Sequence, residues 1–236
     1  MKEKRKNGRQ KATEKISYYP KQQWKPGNML YPVPAVMVTA SDGEGKDNII
    51  TVAWTGTICT NPPMVYISVR PERYSYHMIQ QTKEFVINLT TRELAYATDY
   101  CGVKSGREVD KFDILKLTKQ KASKVSAPLI GESPVNIECK VLQCQELGSH
   151  HMFLAEVVSV HVSEAYLDEK EKFHLERAEP IVYSHGAYYG LKDMLGTFGY
   201  SIKKSNSARK KKIERGNKKQ NREILKNRGS YRGKVL

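Results

Sequence analysis

Val135-Asn-Ile-Glu-Cys-Lys-Val-Leu142 alternates apolar and polar residues without a break. Val135, Ile137, Cys139 and Val141 share one parity, and Asn136, Glu138 and Lys140 share the other. A period of two is the mark of a half-buried β-strand, with the polar parity expected in water. Met152–Val162 is a second long strand, joined to the first through Gln145-Glu-Leu-Gly-Ser-His150. Working outward, Val33–Ala40 and Asn48–Thr55 are β-branched runs flanking a Gly-rich connector suited to a hairpin. Asn61-Pro62-Pro63 bars a helix before the next run, Met64–Arg70. Ser75–Thr82 lacks strand alternation and reads as a short helix, followed by the strand Glu84–Leu89. Thr90–Tyr100 reads as a second helix, with Thr90 or Thr91 as its N-cap and Glu93 in its first turn. Pro180–Tyr183 is a short strand leading into His185-Gly-Ala-Tyr-Tyr-Gly190. Strands dominate at spacings too short for repeated βαβ units. The chain is therefore mainly β, an antiparallel barrel with a few short helices.

The charge is carried by the two ends. The 236 residues have a formal net charge of +15, of which residues 1–15 hold +5 and residues 203–236 hold +12. The middle, 16–202, is left at −2. This division predicts a basic disordered extension at 1–15, one domain over 16–202 and a basic disordered tail at 203–236. Weak, sequence-independent binding of polyanions is expected of the ends alone. No run of about 18 apolar residues is present, which argues against a transmembrane helix. The charged start is followed by no apolar segment, against a secretory signal peptide. Cys59, Cys101, Cys139 and Cys144 are too few and scattered for a disulfide scaffold and fit a reducing cytoplasm.

Familiar phosphate cradles and nucleophile elbows are missing. Gly43-Glu-Gly45 lacks the third glycine of a dinucleotide fingerprint and reads as a hairpin loop. Cys139, Cys144, His150 and His151 lack a standard metal-ligand spacing, and the two cysteines differ in strand parity, so no metal is expected. The informative stretches are Asn48–Trp54, Ser68–Ser75 and Ser105–Phe112. Each has a plain explanation by itself: Asn48 as a turn cap, Trp54 as core, Arg70 and Lys111 as solvated surface. Together they supply hydroxyls and cations in two loops beside strands bearing amide and indole groups. Such a set suits one phosphate and one heteroaromatic ring.

The succession of these motifs resembles the flavin reductase-like FMN-binding split-barrel family, in its flavoredoxin branch. The likeness starts at Leu30-Tyr-Pro-Val-Pro34 and runs through Asn48, Thr51, Ala53 and Trp54 to Asn61-Pro-Pro63. Arg70, Tyr74-Ser75 and Lys83–Asn88 follow, then Ser105-Gly-Arg107, Asp110-Lys-Phe112 and Gly148-Ser-His150. The resemblance implies a six-stranded antiparallel Greek-key split barrel, a homodimer, and FMN held noncovalently near the subunit boundary. Under it, Asn48, Thr51, Ala53 and Trp54 lie along the ring and its ribityl chain. Ser68, Arg70, Tyr74 and Ser75 surround the phosphate, and Lys111 adds a second cation. His150 matches the family's histidine, and Tyr183 or Tyr189 covers the ring.

The function expected from this resemblance is an FMN-dependent oxidoreductase of the flavin reductase type. It accepts a hydride or electrons at flavin N5, with NAD(P)H as donor, and passes them to a free flavin, a metal complex or a partner protein. Side chains in such a protein position the ring and set its potential. Two rivals belong to other classes: a split-barrel module that holds flavin or haem without turnover, and a nucleic-acid-associated protein acting through its basic ends. Consumption of NAD(P)H separates the first rival from the enzyme.

Overall fold

The computed structural model describes residues 17–202; the basic extensions expected at 1–15 and 203–236 lie outside the described residues. The described residues fall into two units, one ending at Gly190 and one starting at Leu191. Twelve strands are β1 (Val33–Pro34), β2 (Val36–Ser41), β3 (Asp47–Val52), β4 (Thr55–Thr60), β5 (Pro63–Val69), β6 (Glu84–Leu89), β7 (Lys119–Gln120), β8 (Leu129–Ile130), β9 (Val135–Glu146), β10 (His151–Val162), β11 (Ile181–Ser184) and β12 (Ala187–Gly190). Three α-helices are α1 (Tyr74–Thr82), α2 (Ala95–Val103) and α3 (Lys111–Leu115). No described helix is long and apolar enough to cross a membrane.

The main sheet is antiparallel and has the order β3-β2-β6-β9-β10-β5-β4. Its two edge strands are consecutive in the chain. Only Ala53 and Trp54 separate the end of β3 from the start of β4, so the backbone itself joins one edge to the other. The ladder of β5 reaches across this seam, where the Ser68 amide donates to the Trp54 carbonyl at 2.8 Å. The run expected as a single strand, Asn48–Thr55, is thus broken at the seam, and β4 continues it. Counted as one rung, β3 and β4 give the six strands expected of a split barrel. The rung β3/β4 lies between β2 and β5, and β6 returns to the other side of β2. That spatial order, fourth-first-second-third, is a Greek key. Apart from this barrel, β1-β11-β12 and β7-β8 make small antiparallel sheets.

Two cores explain why β2 is buried along its whole length rather than alternating. Val36, Val38 and Ala40 point into the barrel with Ile50, Ile67, Phe85 and Phe153. Met37 takes the opposite face and packs with Ile49, Leu94, Cys101 and Phe112 under α2 and α3. The polar parity of β9 is a correction to the sequence reading. Asn136 and Glu138 do not face water; residues 118–134 fold over them. The Asn136 amide donates to Asn88 Oδ1 at 2.7 Å and to the Ile130 carbonyl at 3.0 Å. Fully buried Glu138 accepts the amides of Ser123, Lys124 and Val125 at 2.8, 2.6 and 3.1 Å, and meets His161 Nε2 at 2.5 Å.

Two helix boundaries also differ. The second helix starts at Ala95, because the Thr90 hydroxyl is committed to the Ala35 carbonyl at 2.5 Å. Thr91 Oγ1 accepts from the Leu94 amide at 3.3 Å, which shapes the turn leading in. Lys111, expected in a loop, opens α3, with Asp110 accepting from the Asp113 amide at 3.2 Å as N-cap.

Candidate functional site

The seam between β3 and β5 opens into a cleft with two lobes. The larger, about 490 Å³, is lined by Asn48, Arg70, Arg73, Tyr74, Ser75, Gly106 and Lys111, among others. The smaller, about 160 Å³, is lined by residues 50–54 with Ser68, Val69 and His150. Ile50, Arg70 and Arg73 belong to both lobes, which are therefore parts of one cleft.

The local folding accounts for the lining. β5 ends at Val69, Arg73 N-caps α1, and Tyr74 and Ser75 begin its first turn. That turn holds no acidic residue, and no side chain caps it. The Tyr76 amide donates to the Arg73 carbonyl at 3.0 Å, and the amides of Tyr74 and Ser75 with the positive end of the helix dipole suit an anion. The Asn48 amide donates to Ser75 Oγ at 2.8 Å, a buried bond that ties β3 to the helix start. Gly106 lies against the same Asn48: a Cβ on it would fall 2.2 Å from Asn48 Oδ1. Arg107 from this loop and Lys46 from the β2–β3 turn lie over the Tyr74 ring, at 5.5 and 5.1 Å from its centroid.

Lys111 is the least usual group in the cleft. Its side chain is buried, and Nζ donates to the carbonyls of Ile49 at 2.6 Å and Cys101 at 2.9 Å. Among the described residues no carboxylate pairs with it, although Arg70 is paired with Glu72 at 2.9 Å. Burial pushes its pKa down to about 8; the neighbouring Cys101 thiol opposes this and Arg73 adds to it. A buried ammonium without a counter-ion is costly to a protein, and it sits beside two arginines and a helix N-terminus. In the smaller lobe, burial and then the charge of Arg70 hold His150 below the usual imidazole range. Its Nδ1 lies 3.0 Å from Ser149 Oγ.

Ten of the twelve residues expected at the site line the two lobes: Asn48, Thr51, Ala53, Trp54, Ser68, Arg70, Tyr74, Ser75, Lys111 and His150. Several are already engaged, among them Lys111 and Arg70 as described above. Ser75 Oγ is held by Asn48, and the Thr51 hydroxyl donates to the Thr98 carbonyl. Tyr183 and Tyr189 line neither lobe. Tyr183 is one ring removed, 6.0 Å from Tyr31, which is 6.2 Å from Trp54. Tyr189 lies in β12, 55% exposed. Arg73, Lys104 and Arg107 line the larger lobe without having been expected there. For Arg73 the available signal was its place immediately before a helix start; for Arg107 it was the adjoining Ser-Gly pair.

A cleft of this kind, with cations and a helix start at one end and a short strand break with an indole at the other, fits a phosphate-bearing planar ligand. The flavin reductase like domain family matches residues 28–192, and the chain belongs to that family. It is similar to the flavoredoxin of Desulfovibrio vulgaris (Miyazaki F), with 30% identity and a TM-score of 0.73 over 78% of this chain and 100% of the other. The flavoredoxin of Methanosarcina acetivorans gives 25% identity and a TM-score of 0.70 over the same shares. A flavin reductase of Pseudomonas putida is 26% identical over 133 residues, 56% of this chain and 74% of that one. The fold and site therefore define a split-barrel flavoprotein of the flavoredoxin branch.

Proposed function

We propose that the cleft binds FMN and that the protein is an oxidoreductase exchanging hydride or electrons through it. One observation carries this reading: Lys111, buried at the larger lobe beside Arg70 and Arg73, has no counter-ion among the described residues. A terminal phosphate supplies that charge, and planar guanidinium forks with first-turn amides suit its oxygens. When bound, the flavin contributes hydride and electron exchange at N5. The residues around the smaller lobe orient it. The peptides of Ala53 and Trp54 lie at the seam and offer donors and acceptors to the ring's polar edge. The neutral His150 brings no charge to the ring lobe. The donor in this reading is NAD(P)H and the acceptor a free flavin, a metal complex or a partner protein. The active form is a homodimer in the cytoplasm, and the basic ends add only weak polyanion binding.

Purified protein should carry a yellow chromophore that heating releases as FMN, with bleaching on addition of NADH or NADPH. Release of FAD alone, or no binding at saturating FMN, overturns the cofactor assignment. A stable flavin spectrum with no nucleotide oxidation by any route would instead leave a binding module.

Binding should also depend on pH, with a definite sign. In the free protein Lys111 titrates near 8, below an ordinary lysine. A phosphate, dianionic above about pH 6, favours the charged form and raises that value, so binding takes up a proton. Affinity is therefore full below about pH 8 and falls as pH rises through 8 towards the bound-state value, by up to about tenfold per unit. Fluorescence titrations between pH 7 and 9.5 measure it. Lys111→Met should bind on the order of 10- to 100-fold more weakly at pH 7, with a flatter profile.

A further inference from the structure

Aromatic rings meet end to end on one side of the smaller lobe. Trp54 lines that lobe, and its ring centroid is 6.2 Å from that of Tyr31. Tyr31 lies 6.0 Å from Tyr183, and Tyr183 lies 5.7 Å from Tyr188. The small sheet β1-β11-β12 sets this spacing. Tyr183 and Tyr188 stand directly opposite each other in the β11–β12 hairpin, and Tyr183 is also opposite Val33 of β1, two residues after Tyr31. All four rings are partly buried. At the far end the Asp99 carboxylate of α2 stands beside the Tyr188 phenol; burial and then the Asp99 charge push that phenol's pKa up to about 12. Asp99 itself is exposed. Ring pairs at such distances are ordinary packing in a protein. Three features set this row apart. It has one entrance, since among the described residues Trp54 makes a ring contact with Tyr31 alone. It runs without a gap from the cleft to a carboxylate at the surface. Every ring in it can give up one electron, and its side branch, His185 at 4.8 Å from Tyr31, ends in an imidazole that is harder to oxidise than a phenol.

We propose that Trp54, Tyr31, Tyr183 and Tyr188 form a relay that carries a one-electron oxidising equivalent out of the cleft to the surface at Asp99. The inference rests on the redox reading of the cleft, because it needs an oxidant generated there: an oxygen-centred radical, of the class released when a reduced ring meets dioxygen. That radical takes one electron from Trp54. Trp54 recovers it from Tyr31, Tyr31 from Tyr183, and Tyr183 from Tyr188. Electron tunnelling falls off exponentially with separation, so three short steps between neighbouring rings outrun one long step. The order of the rings also runs downhill, because near neutral pH a phenol gives up an electron and a proton more easily than an indole does. The balance closes. One electron passes from Tyr188 to the radical, which takes a proton from water. The Tyr188 phenol proton passes to Asp99, while Trp54, Tyr31 and Tyr183 end as they began. A dissolved thiol then gives Tyr188 a hydrogen atom and becomes a thiyl radical, and Asp99 returns its proton to water. The relay protects the cleft from irreversible oxidation, one of the competing reactions that a redox site has to exclude.

Pulse radiolysis of the full chain tests this, in a Trp24→Phe background that leaves Trp54 as the sole indole. Azidyl radicals, which oxidise indoles faster than phenols, serve as the oxidant and become azide. The tryptophanyl absorption should decay in a first-order process, independent of protein concentration, as tyrosyl absorption grows at the same rate. Tyr31→Phe should slow that decay at least tenfold. Tyr188→Phe should leave the decay unchanged but alter the electron paramagnetic resonance spectrum of the final tyrosyl radical, and Tyr183→Phe, a second break in the row, should hold the radical at Tyr31. Asp99→Asn should slow the growth of the Tyr188 signal severalfold. Each Tyr→Phe change keeps the ring and removes only its hydroxyl, and near-UV circular dichroism checks that the packing survives. The signals come from indole and phenol rather than from turnover, and they are read with FMN added and without it. Failure to bind FMN would therefore count against the cofactor assignment alone. A decay that speeds up with protein concentration, or one that Tyr31→Phe leaves unchanged, overturns the relay and leaves the cofactor assignment standing. A final radical unaltered by both Tyr188→Phe and Asp99→Asn overturns it as well.

Discussion

Glu138→Ala should destabilise the barrel unit by about 3–5 kcal/mol, and lower its melting temperature by on the order of 10 °C. The carboxylate is fully buried and is the sole acceptor named here for three successive loop amides, those of Ser123, Lys124 and Val125. Removing it leaves these donors and His161 facing an apolar methyl group, and each unsatisfied group costs about 1–3 kcal/mol. Glu138→Gln should rescue little. It keeps one carbonyl oxygen but turns an NH2 group towards amides that already donate. The pH dependence has a definite direction. Burial by itself raises the Glu138 pKa; the Ser123 amide, the His161 ring and the Lys124 amide outweigh it and hold the carboxyl below the usual glutamate range. Its stabilisation is therefore present above about pH 4.5 and is lost as pH falls through the depressed folded-state value. Urea denaturation of wild type and variants at pH 7 and pH 4 measures both effects. Equal midpoints for wild type and Glu138→Ala at pH 7 would show that the loop needs no such acceptor.

Gly106→Ala should cost the cleft its anion affinity, on the order of 100-fold, while changing global stability by only about 1–2 kcal/mol. The new Cβ would fall 2.2, 2.5 and 2.8 Å from the three terminal atoms of the Asn48 side chain. Asn48 cannot swing away freely, because its amide is bonded to Ser75 at the start of α1. Either that bond breaks or the loop bearing Lys104 and Arg107 retreats from the cleft, and both outcomes spoil the lining. Since the clash is with one side chain, Asn48→Ala in the same chain should recover part of the loss. The pair is then non-additive, as neighbours in direct contact are. Flavin titration of the two single variants and the double variant measures the coupling. Additive losses would separate the two residues.

The strands were the most legible part of the sequence. Glu84–Leu89 was read with both ends correct, and the long pair β9 and β10 came from plain alternation and β-branched content. What the pattern could not show was a second layer. Asn136 and Glu138 carry the polarity of a wetted face, yet a segment of short strands and turns covers them and satisfies every polar atom by hydrogen bonding. A buried polar network and a solvated face have the same composition. Lys111 was misplaced for a related reason: sequence shows that a cation is present, but not that two main-chain carbonyls hold it. β4 was hidden because only Ala53 and Trp54 separate it from β3, a break that resembles strand continuation, while its ladder runs to β5 instead. At the cleft, the succession of weak motifs identified ten of the lining residues, and the three extra cations lay close to residues already singled out. Tyr183 or Tyr189 follows from the resemblance alone, which sets no distance within this chain, and these are the two that line neither lobe.

The join at Ala53 and Trp54 has a mechanical consequence. Everywhere else around the barrel, adjacent strands are held by ladders of hydrogen bonds that must break together. Between β3 and β5 the chain crosses by covalent connection, with the Ser68–Trp54 bond as the main-chain link described across it. Widening that gap disrupts few bonds, so it is the low-cost opening of an otherwise stiff cylinder. The cleft is lined from both sides of this gap, so a ligand seated there would bridge it and would be expected to stiffen the wall. Tighter binding in the cleft is therefore expected to come with a stiffer wall at Ala53 and Trp54.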